Sequence, residues 1–114
     1  PASPAPARPF LGELENLIEA RKQSTAVRSY TRTLLDGGAA RIGDKLREEA
    51  DEVARALADE SDDRVASEAA DLFFHLLVGL SSRGLSLNEV VAVLARRFGV
   101  SGHVEKASRA PSPL

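Results

Sequence analysis

Residues Glu68 to Leu80 read EAADLFFHLLVGL, and every position except Glu68, Asp71 and His75 is apolar or glycine. An element that is apolar around most of its circumference is a buried helix. Its three polar residues fall at i, i+3 and i+7 and therefore share one narrow face. Carboxylates embedded in such a surface need compensation, because an unpaired buried carboxylate costs several kcal/mol or takes up a proton. The compensation is either a basic partner, such as Arg64 or Lys45, or a bound cation.

The helix carrying this stretch is expected to start at Ser61-Asp62, which are N-cap residue types, and to run to about Ser82, with Gly84 as its stop. Ahead of it, residues 40 to 58 form a second long helix with an apolar stripe of Ile42, Leu46, Ala50, Val53 and Leu57. At about 100° per residue, Lys45, Glu48, Glu49 and Glu52 occupy a sector beside that stripe, so these carboxylates border the core. A first amphipathic helix is expected over roughly 10 to 23, with Phe10, Leu14, Leu17 and Ile18 at helical spacing. A short segment from Ser29 to Leu35 follows and should end at Gly37-Gly38. The fourth helix opens on Ser86-Leu87-Asn88-Glu89, a capping box with Leu85 and Val90 as its staple, and closes at Gly99. No sustained period-2 alternation marks a strand. The expectation is an all-α domain of four principal helices over residues 10–109, with a Pro/Ala tail at 1–9 and a short tail at 110–114.

The chain has 114 residues, 43% apolar and 28% charged, with 15 Lys+Arg against 17 Asp+Glu and no cysteine. That composition fits one small globular domain and excludes a disulfide framework, a thiolate metal site and a thiol nucleophile. A net charge of −2 argues against general nucleic-acid affinity, and no unbroken apolar run approaches the length of a membrane span. No charged-then-apolar leader opens the chain, so a soluble, cytoplasmic protein without nucleic-acid or membrane partners is expected. A domain this small buries a limited core alone, which favours self-association.

Charge is unevenly distributed. Residues 21 to 47 carry seven bases against two acids, whereas residues 48 to 63 carry eight acids against Arg55 alone. The simplest reading of the acidic face is a solvated surface of i,i+3 and i,i+4 ion pairs. The buried character of the following helix points further. If the two carboxylate faces meet, Glu49, Glu52, Glu68 and Asp71 converge from adjacent helices. An all-oxygen set suits a hard divalent ion, Mg2+ first and Mn2+ second. His75 is the only imidazole near it, and a lone histidine on an apolar helix is commonly a hydrogen-bonded core residue. Such an ion meets substrate phosphates, which leads to phosphoanhydride hydrolysis.

Glu49-x-x-Glu52 followed by Glu68-x-x-Asp71 resembles the two-part motif of the all-α nucleotide pyrophosphohydrolase superfamily that includes MazG-like proteins. More narrowly, residues 11 to 109 resemble the phosphoribosyl-ATP pyrophosphohydrolase family. The likeness is carried by Ser29-Tyr30-Thr31, Leu34, Gly38, Ile42, Lys45 and Glu48-Glu49-Ala50-x-Glu52. It continues through Glu68-x-Ala70-Asp71-Leu72-x-x-His75-Leu76-Leu77-Val78 and Gly84-Leu85-Ser86. It ends with Ser101-Gly102 and Glu105-Lys106-Ala107-Ser108-Arg109. Phe74 stands where the family often has Tyr, and Arg47 where it often has Gly.

The resemblance implies Mg2+-dependent hydrolysis of the bond between the α and β phosphates of phosphoribosyl-ATP, giving phosphoribosyl-AMP and pyrophosphate in the second step of histidine biosynthesis. It also implies a homodimeric helical bundle. Carried over by residue, Glu49, Glu52, Glu68 and Asp71 are metal ligands. Glu48 is a further ligand or the base that orients the attacking water. Lys45 is assigned to substrate phosphate, with an ion pair to Glu49 as the competing role. Tyr30 either stacks on the base, hydrogen-bonds a ribose or phosphate, or simply packs at the domain edge. Two other functions remain open on the residues alone: a house-cleaning nucleoside triphosphate pyrophosphohydrolase, and a non-catalytic helical dimerisation module whose acids pair with arginines.

Overall fold

The computed structural model describes residues 7–24 and 29–98. They form four helices, α1 (Ala7–Gln23), α2 (Tyr30–Asp59), α3 (Asp62–Ser82) and α4 (Leu87–Phe98), and no strand occurs among the described residues. The all-α expectation is met. α1 starts at Ala7 rather than Phe10. Pro9 thereby sits in its first turn, where a missing backbone N–H removes no intrahelical bond. The expected stop at Gly99 and the segment from Ser101 to Arg109 lie outside the described residues.

Serine caps start the two central helices. Ser29 Oγ accepts from the Arg32 backbone N–H at 3.0 Å, and Ser61 Oγ accepts from that of Arg64 at 3.3 Å. Between them α2 and α3 run antiparallel: Ile42 and Leu46 lie over Gly79, Glu49 faces Asp71, and Glu52 reaches Glu68.

That register exposes a reversal within α2. A straight helix would carry Tyr30 about 18 Å past Ile42, well beyond Gly79. Yet the Tyr30 hydroxyl lies 2.7 Å from His75 Nε2, one turn to the other side of Gly79. The chain doubles back at Gly38, whose φ of 70° and ψ of −167° are open only to glycine. Gly37 has a different task. A β-carbon there would meet Arg41 Cβ at 2.6 Å, so the returning strand of helix needs a bare position. The expected end of the short segment at Gly37-Gly38 is thus a tight turn between two helical arms.

α1 is tied to both partners at its C-terminal end. Arg32 donates to the carbonyls of Lys22 (3.0 Å) and Ser24 (3.3 Å), satisfying groups a helix end leaves open. Lys22 Nζ donates to the Ser81 carbonyl at 2.7 Å, and the Ser81 hydroxyl donates to Glu19 at 3.0 Å. That hydroxyl, with the Lys22 charge beside it, holds Glu19 below its ordinary range.

The apolar core comprises Ile18, Leu34, Ile42, Ala56, Leu77 and Val78. α3 has 21 residues and a mean hydropathy of 1.2 over its most apolar window, enough by length and composition to cross a membrane. Only 28% of that window is buried within the chain, because α3 turns one face inward, with Glu68, His75, Leu77 and Val78, and is not buried around its circumference as its apolar composition suggests. Its other face, with that of α1, leaves Phe10, Leu17, Phe73 and Leu76 exposed.

Among the described residues, those from Leu85 to Phe98 form a separate unit. The capping box is present: Ser86 N–H donates to Glu89 Oε2 at 2.8 Å and Glu89 N–H to Ser86 Oγ at 3.3 Å.

Candidate active site

The antiparallel register brings the two acidic faces together. Carboxylate oxygens of Glu49, Glu68 and Asp71 lie within 4.8 Å of one another. Glu52 stands close enough to Glu49 and Glu68 to raise both of their carboxyls. Three of the four candidate ligands therefore meet where α2 faces α3, with Glu52, exposed, beside them. Glu49 and Glu68 are buried, and Asp71 is exposed, giving the cluster one open side.

Electrostatics show how crowded this arrangement is. Burial pushes the Glu49 carboxyl above its ordinary 4.5, and contact with Glu52 and the charges of Glu52 and Asp71 push it further. Glu68 is raised first by its contact with Glu52, then by burial, with the Arg64 guanidinium pulling the other way. Each proton held here relieves repulsion between like charges at short range.

Both basic partners named from the sequence are present, and neither is close enough to satisfy the cluster. Arg64 Nη2 stands 3.7 Å from Glu68 Oε2, and Lys45 Nζ stands 3.9 Å from Glu49 Oε1. Both exceed hydrogen-bond length. Glu49 Oε2 is fully buried and has no hydrogen-bond partner. An orphaned acceptor of this kind is rare and calls for an explanation. A hard divalent cation supplies one: the donor set is entirely carboxylate oxygen, from two rigid helices, with solvent access on one side. The residues present fit such an ion.

Glu48 lies outside the cluster, its side chain 60% exposed, with Lys45 Nζ at 3.7 Å. Lys45 therefore bridges the solvent edge and the buried acid. Tyr30 is placed differently from a free surface tyrosine: its hydroxyl meets His75 Nε2, and His75 Nδ1 lies 2.7 Å from the Asp71 carbonyl. A carbonyl only accepts, so Nδ1 carries the proton. In the neutral ring Nε2 then accepts and the Tyr30 hydroxyl donates. The His75–Tyr30 pair is not legible in the sequence, because the two residues are 45 apart and meet only through the reversal at Gly38.

Helices that hold clustered carboxylates between them, with a lysine at the open edge, define the class of the protein, all-α with an acidic centre. Within that class the chain belongs to the phosphoribosyl-ATP pyrophosphohydrolase family, whose model it matches over residues 11–98. It is accordingly a hydrolase acting on a pyrophosphate bond of a nucleotide. It is 50% identical over 102 residues to a phosphoribosyl-ATP pyrophosphatase of Azorhizobium caulinodans, covering 90% of this chain and 94% of that one. A protein of the same name from Rhodopirellula baltica is 47% identical over 87% of this chain and 85% of its own length. A histidine biosynthesis bifunctional protein of Helicobacter hepaticus is 43% identical over 88% of this chain, which spans 43% of that longer protein.

Proposed function

We propose that this chain hydrolyses phosphoribosyl-ATP to phosphoribosyl-AMP and pyrophosphate, the second step of histidine biosynthesis, with Mg2+ as its cofactor and Mn2+ as a substitute. The observation that carries the metal assignment is the buried, unpartnered Glu49 Oε2 beside the carboxylates of Glu68 and Asp71. Glu49, Glu52, Glu68 and Asp71 would hold the ion. When bound, a divalent cation polarises phosphoryl oxygens and acidifies a water.

The chain's own groups divide the remaining work. Lys45, on the rim and 22% exposed at its side chain, offers its ammonium to a phosphate oxygen once the cluster's charge is neutralised. Glu48, exposed and adjacent to the cluster, orients the attacking water and accepts its proton. Arg64, one turn earlier on α3, offsets part of the Glu68 charge.

The exposed apolar side chains of Phe10, Leu17, Phe73 and Leu76 on α1 and α3 support a homodimer in which a second copy covers them. A cytoplasmic location suits a biosynthetic hydrolase of this kind.

Pyrophosphate release is the test. With Mg2+, release from phosphoribosyl-ATP but not from ATP or dUTP supports this reading. Release from common triphosphates points instead to a house-cleaning enzyme. No release from any, with no Mg2+-dependent rise in Tm, leaves a helical dimerisation module. Product analysis in 18O water identifies the phosphate that receives the solvent oxygen.

A further inference from the structure

We propose that Tyr30 is an aromatic platform on which the purine base of the nucleotide stacks, and that His75 is the positioning residue that fixes its ring. This rests on the nucleotide-hydrolase reading above and chooses among the roles open to Tyr30.

The choice follows from hydrogen-bond inventory. A phenol has one proton, and beside a neutral His75, whose Nδ1 carries the ring proton, Tyr30 gives it to Nε2 at 2.7 Å. Phosphate oxygens only accept, so the hydroxyl has nothing to offer them. What remains for a ligand is the ring itself, and Tyr30 is still 47% exposed despite its anchor. Phe74 lies 6.2 Å away on a ring inclined by 24°, so Tyr30 is backed by a second aromatic. His75 is itself immobile: it is buried, its Nδ1–H is bound to the Asp71 carbonyl, and both Tyr30 and Phe74 meet it edge-on. An aromatic held at its hydroxyl and flanked by Phe74 loses little further freedom when a base stacks on it.

Placement supports the same role. His75 is one turn along α3 from Asp71, whose carboxylate lies within 4.8 Å of those of Glu49 and Glu68. The platform therefore lies beside the carboxylates rather than over them. A nucleotide whose phosphates meet the carboxylate edge extends its ribose and base in just such a sideways direction. The phenol oxygen keeps lone pairs that a ribose hydroxyl could use, and the test separates that contact from stacking.

Tyr30 is the sole tyrosine of a chain without tryptophan, so its emission is the protein's own signal. Titrating the full-length, Mg2+-loaded protein with AMP, after inner-filter correction, is expected to quench that emission saturably. Ribose 5-phosphate is expected to leave it unchanged. In steady-state assays with phosphoribosyl-ATP, Tyr30→Leu is expected to raise KM about tenfold or more, with a smaller change in kcat, as loss of a stacked base does. Tyr30→Phe and His75→Leu keep the ring and lose its anchor, so both should raise KM by only about threefold. An equal response to AMP and ribose 5-phosphate, or a response to neither, overturns the platform. So does a Tyr30→Phe defect as large as that of Tyr30→Leu. If wild-type protein releases no pyrophosphate from phosphoribosyl-ATP, the enzymatic reading fails while the AMP titration still decides the platform.

Discussion

Gly79 of α3 lets Ile42 of α2 approach so closely that a β-carbon there would stand 3.3 Å from Ile42 Cγ2, with Leu46 Cδ1 at 3.9 Å. The carboxylates of Glu49 and Asp71 meet further along the same helix pair, so the spacing set at Gly79 also sets theirs. Gly79→Ala combines a gain in helix propensity of about 1 kcal/mol with a contact that yields by a few tenths of an ångström, and Tm should move by only a few degrees. Gly79→Leu has no room. It is expected to cost about 1–3 kcal/mol and lower Tm by about 5–15 °C. The same variant should weaken the Mg2+-induced rise in Tm. A thermal scan with and without Mg2+ checks both effects.

Glu49 and Glu68 are both raised above the ordinary 4.5. A raised value in the folded protein means that the folded state binds the proton more tightly than the unfolded chain does. That contribution is full below the ordinary value and is lost as pH rises through the raised one. Cation-free protein should therefore melt higher near about pH 5 than near about pH 8, as far as these two groups decide. Mg2+ competes for the same oxygens, so its stabilising effect should grow with pH over that window. A cation-free Tm that climbs with pH would contradict the crowding inferred for the cluster.

Glu49→Gln removes a buried charge and leaves an amide that donates to neighbouring carboxylates. Cation-free protein should gain about 1 kcal/mol or more at neutral pH, and the Mg2+-dependent rise in Tm should largely disappear together with turnover. Glu52→Gln and Asp71→Asn should likewise abolish turnover and leave the cation-free fold intact or firmer. Unfolding of either variant without metal would mean that a structural contact had been mistaken for a ligand.

Much of this site was legible from spacing alone. Glu68, Asp71 and His75 share a face because helical geometry fixes it, whereas the stripe of the helix before is shifted from its expected place: Glu49 and Ala56 are buried, and Ala50 and Leu57 are exposed. What periodicity cannot carry is the pairing of distant segments. Nothing local in Tyr30 announces His75, and the double glycine was readable as a stop without revealing that the chain returns on itself. α1 starts at Ala7, ahead of the first residue its apolar periodicity marks, for a related reason. Pro9 argues against a helix in general, but the first turn has no use for its missing N–H.

Lys45 stands at the boundary between two roles, within 4.0 Å of both Glu48 and Glu49. Partly exposed i,i+3 and i,i+4 pairs at that distance contribute only about 0.3–0.5 kcal/mol, so Lys45→Ala should barely change Tm. A phosphate contact, in contrast, is lost only when substrate is present. Lys45→Ala is therefore expected to raise KM or lower kcat by about tenfold or more while Mg2+ still raises Tm. Unchanged kinetics would return Lys45 to the role of a surface ion pair.

The reversal at Gly38 is the least replaceable local feature of the chain. Its φ of 70° with ψ of −167° lies where any β-carbon is strained, although no neighbouring atom stands within 4 Å. Gly38→Ala is thus a test of backbone conformation rather than of space, and should cost about 1–3 kcal/mol. The strain can be relieved by straightening α2, which carries Tyr30 away from His75 and Phe74. The expected signature is a lower Tm together with altered Tyr30 emission, because the hydrogen bond to the imidazole is lost. Gly37→Ala should also destabilise, but through its approach to Arg41 Cβ. Trimming that side chain beyond Cβ, as in Arg41→Ala, leaves the offending atom in place, so Gly37→Ala should not be rescued by it. Recovery in the double variant would show that the longer arginine side chain, and not the closeness of the two helical arms, was the obstacle.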